Sequence, residues 1–217
     1  MLYIKKSPEP EALIQAKRTG LSHYDDMTGE VKDIVKASLS KEQGCLCAYC
    51  MRRLKPETMQ IEHYIPRSGS DDALTIDYKN LLGVCPGNKG NAERFLTCDA
   101  RRGNSPLTVN PLNPASVGKI RYRPNGLIFS DDETVNHDLQ VTLNLNCEQV
   151  YLPQDRKEAL DRLKQKIRTD YPGGTAPKEY CQTLYNALSR GKNGILDEYL
   201  GIMLEYLERR GAVPGHN

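Results

Sequence analysis

Apolar residues recur along this chain in two rhythms, with an irregular stretch between them. Val31, Ile34, Val35 and Leu39 fall at helical spacing, so residues 29–43 are predicted to form a helix with one apolar face. Gly44 follows as a C-cap. Residues 8–17 form a shorter helical stretch after an extended start. Toward the other end, Leu160, Leu163 and Ile167 share the helical spacing within a predicted helix over 154–170. Ile195, Tyr199, Ile202, Met203 and Leu207 do the same within a helical region over 177–210, broken near 191–194. Another helix is predicted over 132–145, and the Pro- and Gly-rich run 171–177 separates two of these helices. The second rhythm appears at 120–129. There Asn125-Gly126 sits between two short apolar segments, which is the signature of a tight hairpin.

Residues 45–114 follow neither rhythm. They are rich in Gly, Asn, Pro and Cys and are expected to bury little apolar surface, so they require a staple. Residues 59–64 read as a short strand, and 77–82 lead through Asn80 toward Cys85. The expected fold class is α+β and mainly helical. It has three regions: an N-terminal helical segment (1–44), a small irregular core (45–114), and a hairpin with C-terminal helices (115–217). No repeat or low-complexity segment interrupts this order.

Composition narrows the classes. The formal net charge is only +2, so any nucleic-acid contact must be a local patch. Twelve Tyr stand beside two Phe and no Trp, so Tyr must carry most aromatic packing, with some left to contact partners. No apolar run approaches the roughly 20 residues needed to cross a bilayer. The start lacks a signal-peptide core, and the chain is expected to be cytoplasmic, with no membrane partner. Seven Cys without a secretion signal fit reduced thiols and metal ligation better than disulfides.

The chemistry concentrates between Cys47 and Asn104. Cys47 and Cys50 are separated by two residues, a tight knuckle whose sulfurs converge, and Cys85 and Cys98 complete a set suited to structural Zn²⁺. Cys45 competes as a ligand but sits at a predicted helix end, while Cys147 and Cys181 read as buried core thiols. Between the cysteines stands Glu62-His63, with Pro66 close by. His63 is a candidate general base for water attacking a phosphodiester. Glu62 is a hard oxygen donor for Mg²⁺ or another divalent metal. On a regular strand these neighbours would face opposite ways, so both reach one cleft only if the strand ends and twists there. Asn80 either orients His63 directly or braces the loop by capping backbone groups.

These residues resemble the HNH nucleases, whose site is a ββα-metal motif, over about residues 47–104. The resemblance implies that Glu62 binds metal, His63 is the base and Asn80 holds the base. It also implies that Asp99 is the last metal ligand, with Asn104 as the alternative, and that Arg102 contacts substrate phosphate. Two features depart from the pattern. The second cysteine pair is stretched, and the last ligand is Asp where His or Asn is usual. A closer resemblance extends over nearly the whole chain. Tyr3-Ile-Lys-Lys, Leu46-Cys-Ala-Tyr-Cys50, Ile61-Glu-His-Tyr-Ile-Pro66, Asn80-Leu-Leu-Gly, Arg102-Gly-Asn104 and Asn110-Pro-Leu112 are similar to PtuB-like HNH proteins of bacterial Septu-type and retron-associated antiphage systems. It implies an effector subunit partnered with a PtuA-like ABC-type ATPase. In retron versions a reverse transcriptase and its RNA-linked DNA join, and the nuclease substrate is DNA or RNA. The rival expectation is a non-catalytic zinc-stabilised adaptor or regulatory subunit of the same kind of complex.

Overall fold

Two helices lead into the core. Helix α1 (Glu11–Arg18) packs on α2 (Gly29–Glu42), and α2 packs on the core strand that carries Gly83. Thr28 starts α2 by accepting the Val31 N–H, an N-cap that satisfies one orphan donor of the first turn. Val35 and Leu39 are fully buried, whereas Val31 is half-buried and Ile34 is exposed. The buried stripe of α2 is therefore narrower than its apolar spacing predicts. These positions come from a computed structural model that describes residues 1–213. Residues 214–217 of the expected third region lie outside it.

The middle of the chain holds strand β1 (Gln60–His63), the single-turn helix α3 (Asp72–Thr75), strand β2 (Leu81–Val84) and the short helix α4 (Cys98–Arg102). β1 and β2 are antiparallel, with Gln60 opposite Val84 and His63 opposite Leu81. The side-chain amide of Gln43, at the end of α2, bonds both backbone groups of Gly83 and also the Leu46 carbonyl. One buried amide thus ties α2, β2 and the first cysteine segment together. The expectation that this region buries little apolar surface is corrected. Leu46, Tyr49, Met51, Leu54, Met59, Tyr78, Leu81, Leu82 and Val84 are all buried. They are irregular in backbone, yet they pack into a core shared with the flanking helices.

After α5 (Pro114–Val117), strands β3 (Ile120–Tyr122) and β4 (Ile128–Ser130) form the hairpin expected at Asn125-Gly126. Gly126 has φ +87°, and a Cβ there would lie 1.9 Å from the Pro153 carbonyl oxygen, so only glycine fits between this turn and the next long helix. The buried Arg156 guanidinium locks the same junction, donating to the carbonyls of Gly126 (2.6 Å) and Leu145 (2.8 Å) and to Asn146 Oδ1 (2.9 Å).

The helix expected over 132–145 is shorter. Helix α6 (Glu133–His137) widens into a π turn at Asp138–Thr142. Asp138 there accepts the backbone N–H groups of Thr108 (2.5 Å) and Val109 (2.9 Å), which draws its carboxylate inward, where a plain surface helix would leave it in solvent. Helix α7 (Leu152–Asp170) buries Leu160, Leu163 and Ile167 as their spacing predicts. Helix α8 (Lys178–Arg190) and helix α9 (Leu200–Glu208) follow, and α9 packs on α7, α8 and β3. The break between α8 and α9 is longer than predicted. Ile195 is exposed in a turn paired to Lys192, and Tyr199 lies before α9 with a left-handed backbone. The fold is thus mainly helical α+β with two hairpins around a cysteine-bearing core. No described helix is long and apolar enough to cross a membrane.

Candidate active site and metal centre

The Sγ atoms of Cys47, Cys50, Cys85 and Cys98 all lie within 4.8 Å of one another. Individual separations are 3.9 Å (Cys47–Cys98), 3.7 Å (Cys50–Cys85) and 3.8 Å (Cys85–Cys98). A tetrahedron with Zn–S bonds of about 2.3 Å has edges of about 3.8 Å, which these three separations match, so the cluster is consistent with one zinc ion. These distances are far beyond a disulfide bond, and all seven cysteines are free. Three of the four are buried and Cys85 is half-buried. The donor set is all thiolate and closed, which suits a structural ion rather than one that binds substrate.

Local backbone explains how distant cysteines converge. The Met51 N–H bonds the Cys47 carbonyl, and the Cys47 N–H bonds the Arg52 carbonyl, which curls the first knuckle. The stretched second half closes by a pinch. Thr97 N–H bonds the Gly87 carbonyl, and a Cβ on Gly87 (φ +58°) would lie 2.1 Å from the Thr97 oxygen. Cys98 itself has φ +53°, a costly conformation for a residue with a Cβ. Its N–H is anchored to the Leu143 carbonyl at the end of the π turn (2.9 Å), so the third region helps hold the fourth ligand. Cys45 stays outside the cluster, and Cys147 and Cys181 are buried elsewhere, as expected.

Glu62 and His63 end β1 and are both buried, at 7% and 6% exposure. Glu62 Oε1 accepts from the Tyr49 hydroxyl (3.0 Å) and is ion-paired with the Arg102 guanidinium. Among the described residues no N–H or O–H donor reaches its Oε2, and the Asp99 carboxylate, in the first turn of α4, acts on Glu62. Burial, and then the Asp99 charge, push Glu62 up to about 8 against the opposing pull of Arg102. A buried carboxylate with a second one acting on it is a donor pair that a divalent cation would suit. They do not form a closed ligand set like the cysteines. Among the described residues the cysteine cluster is the one group of three or more such side chains gathered around a point.

His63 Nε2 lies 2.8 Å from the Thr75 carbonyl oxygen. A carbonyl only accepts, so Nε2 carries the proton and the lone pair of the neutral ring is on Nδ1. Among the described residues Nδ1 has no hydrogen-bond partner. Burial lowers the His63 pKa, which keeps the ring neutral near pH 7. Asp99 also acts electrostatically on His63, so this one carboxylate is a common neighbour of both strand residues.

Of the two roles open to Asn80, the structure displays bracing. Its Oδ1 accepts the Ile65 N–H (2.7 Å), and its Nδ2 donates to the Ile65 and Leu74 carbonyls (both 3.1 Å). Those bonds shape the loop that delivers the Thr75 carbonyl to His63. Arg102 departs from its expected place on substrate phosphate. Its side chain is fully buried and its donors reach Glu62, Tyr49, Ser105 and the carbonyls of His63 and Tyr64. Its role here is internal, since its Nε, Nη1 and Nη2 atoms all donate within the protein. Asn104 lies exposed beyond the end of α4, whereas Asp99 stands beside Glu62.

Sequence reasoning missed Tyr49 and the segment before α2. Tyr49 was legible only as the residue between two cysteines, yet its hydroxyl links Glu62 to Arg102. Tyr24 sets its ring edge-to-face on His63, with centroids 4.8 Å apart, fixing the imidazole plane. Arg67 and Lys32 both approach the Tyr24 ring. Arg67 is exposed and pairs with Asp25 at 2.7 Å in a solvent-screened surface bond.

The fold and site together define a mainly helical α+β protein whose cysteine cluster is consistent with a zinc-stapled HNH core. The chain is a distant homologue of the "Retron Vc95 putative HNH endonuclease" of Vibrio cholerae serotype O1 biovar El Tor. The two are 27% identical over 165 residues, which cover 71% of this chain and 78% of the relative. No protein-family model matches the chain. Among solved structures, the Type II-C Cas9 enzyme from Actinomyces naeslundii aligns with 93% of this chain and 24% of its own, at 18% identity and a TM-score of 0.31. This chain therefore spans about a quarter of that Cas9, and the superposition is loose.

Proposed function

We propose that this chain is a metal-dependent HNH nuclease that hydrolyses phosphodiester bonds. In this reading residues 45–114 are the catalytic unit, and the segments 1–44 and 115–217 are its flanks. The observation that carries the reading is the tautomer lock on His63. The bond to the Thr75 carbonyl holds the proton on Nε2, which leaves the Nδ1 lone pair of a neutral imidazole to take a proton, and the Asp99 charge acts on the same ring. His63 Nδ1 takes the proton from the attacking water. Glu62 and Asp99 hold a divalent ion such as Mg²⁺. When bound, that ion would supply positive charge to the phosphate and the leaving oxygen. Tyr49 and Arg102 position Glu62, Asn80 positions the loop behind His63, and Arg67 and Lys32 meet the substrate phosphates at the rim. Zn²⁺ on Cys47, Cys50, Cys85 and Cys98 keeps these elements in register.

The retron relative supports association with retron components, and a role as an effector subunit alongside a reverse transcriptase and its RNA-linked DNA rests on the sequence resemblance. Partnership with a PtuA-like ABC-type ATPase in a bacterial cytoplasm rests on the sequence resemblance. The test is cleavage of plasmid DNA and of tRNA by the complex purified from its native operon, with Mg²⁺ or Mn²⁺ added. His63→Ala is expected to slow cleavage by about 10²-fold or more. Equal cleavage by the variant would overturn the mechanism.

One observation favours a second reading, a non-catalytic zinc adaptor or regulatory subunit. Glu62 is held by an internal arginine, which reduces its charge available to a metal. Titration with Mn²⁺ followed by paramagnetic broadening of the His63 ring signals separates the two. Absence of broadening, together with no cleavage by the complete complex, leaves the adaptor.

A further inference from the structure

A second concave site lies away from the cysteine core, where α9 crosses α7 beside the β3–β4 hairpin. Its volume is about 290 Å³, at the lower end of the roughly 300–1,000 Å³ typical of small-ligand sites. Leu160 and Ile202 form an apolar floor, and the half-buried Tyr206 ring forms one wall. Arg123, Lys164, Arg209 and Arg210 surround it, against one carboxylate, Glu205. That carboxylate is already engaged, since it pairs with Arg209 at 2.7 Å and accepts the Tyr122 N–H at 2.9 Å. Among the described residues neither Arg123 nor Arg210 has an ion-pair partner, and Lys164 reaches only Asp161, at 4.0 Å. Among the described residues these three cations are therefore matched by little negative charge around an apolar, aromatic pocket, although Arg123 also lies 5.1 Å from the Phe129 ring centroid.

Packing alone does not account for this. A cation collected around a pocket repels its neighbours unless an anion joins them. The Arg210 guanidinium lies 4.9 Å from the Tyr206 ring centroid and the Lys164 ammonium 5.6 Å from it, a mixed cationic and aromatic surface of the kind on which bases stack while phosphates are neutralised. An inorganic anion would use the charges but not the floor, and an apolar ligand would use the floor but not the charges. A nucleoside phosphate uses both.

The geometry points to a nucleoside-phosphate subsite formed by Tyr206, Arg210, Lys164 and Arg123 over Leu160 and Ile202, separate from the His63 cleft. The base lies against Tyr206 and the apolar floor, and the phosphate meets Arg123, Lys164 and Arg210. The ligand is one nucleotide, either free or within a single strand.

The test uses the full zinc-loaded chain carrying His63→Ala, so that nothing is cleaved and the outcome is independent of the nuclease reading. Two probes are 5-bromo-dUTP and a 12-nucleotide oligo-dT with one central 5-bromo-dU. Each is titrated, photo-crosslinked and mapped by mass spectrometry. The expected adduct is on the peptide containing Tyr206, and Arg123→Glu with Arg210→Glu is expected to weaken binding roughly tenfold or more. Both residues lie at the surface, and an unchanged thermal midpoint verifies the fold of the variant. Saturable binding of the free nucleotide at Tyr206 identifies a free ligand, and binding of the oligonucleotide alone identifies a strand. Each of these supports the site. Adducts confined to other segments, an unchanged affinity in the double variant, no binding of either probe, or equal binding of a hexaglutamate peptide would each overturn it.

Discussion

β3 and β4 are joined across Asn125-Gly126, whereas β1 and β2 are joined across residues 64–80, and the two hairpins are ordered by different means. The tight hairpin is specified locally. Its turn is the three-residue connection Pro124-Asn125-Gly126, closed by the Arg123 N–H on the Leu127 carbonyl and the Gly126 N–H on the Arg123 carbonyl, and its strands alternate buried and more exposed positions. The open hairpin has no such turn. Its loop is shaped by the Asn80 amide, its strand end by Arg102, and its base by four cysteines from three separate segments. The candidate site lies on the second kind of hairpin. Its long connection brings the Thr75 carbonyl to the His63 ring, a contact that a three-residue turn cannot make.

The comparison breaks most sharply under metal removal. Structural zinc contributes about 10–16 kcal/mol in small metal-folded sites, comparable to the whole stability of a domain, about 5–15 kcal/mol. Chelation of zinc, or Cys50→Ser, is expected to release amide-exchange protection across residues 45–104 while α7, α8 and α9 keep theirs. Equal loss in both would show that the hairpins share one cooperative unit. Next in size, His63→Ala is expected to lower cleavage by about 10²–10⁴-fold with little change in thermal midpoint, read from parallel nuclease and melting assays.

Arg102→Met tests the polar support of the open hairpin. It leaves the Glu62 carboxylate buried without its cation, a loss of about 3–5 kcal/mol seen as a lowered denaturant midpoint. Asn80→Ala removes three hydrogen bonds to the loop, at about 1–3 kcal/mol. Cleavage should fall with it, because the Thr75 carbonyl no longer holds the His63 tautomer. Gly126→Ala is the matching change in the tight hairpin. It is expected to cost about 1–3 kcal/mol through strain at φ +87° and contact with Pro153, while cleavage by the folded protein stays unchanged. Loss of cleavage in that variant at temperatures where it remains folded would remove the functional distinction between the hairpins.

Much of the architecture was legible in the order of residues. Helix α7 buries the three residues that its spacing marks, and the Asn125-Gly126 turn falls where its residues place it. The four cysteines converge as their ligand chemistry implies. Other readings failed for identifiable reasons. Arg102 follows a cysteine-bearing turn, the kind of place where a basic residue faces substrate, but α4 points its guanidinium inward. The 132–145 segment has a helical pattern, yet Asp138 is drawn aside by the backbone of residues 108 and 109, and the helix widens. Tyr199, spaced as part of the last helix, lies before α9 with a left-handed backbone, buried, and its hydroxyl bonds Asp155 and Arg52.

By itself the sequence determined the features that depend on near neighbours: helical faces, the tight turn, the cysteine knuckle and the acid-histidine pair. These follow from periodicity, backbone preference and ligand chemistry, all of which act over a few residues. The tertiary structure alone decided which ring nitrogen of His63 is free, that Asn80 acts through a loop, and that Arg102 serves Glu62. Each of those outcomes depends on a partner brought from a distant segment. Buried polar groups take whichever partners packing supplies, because leaving them unpaired costs more than any local preference.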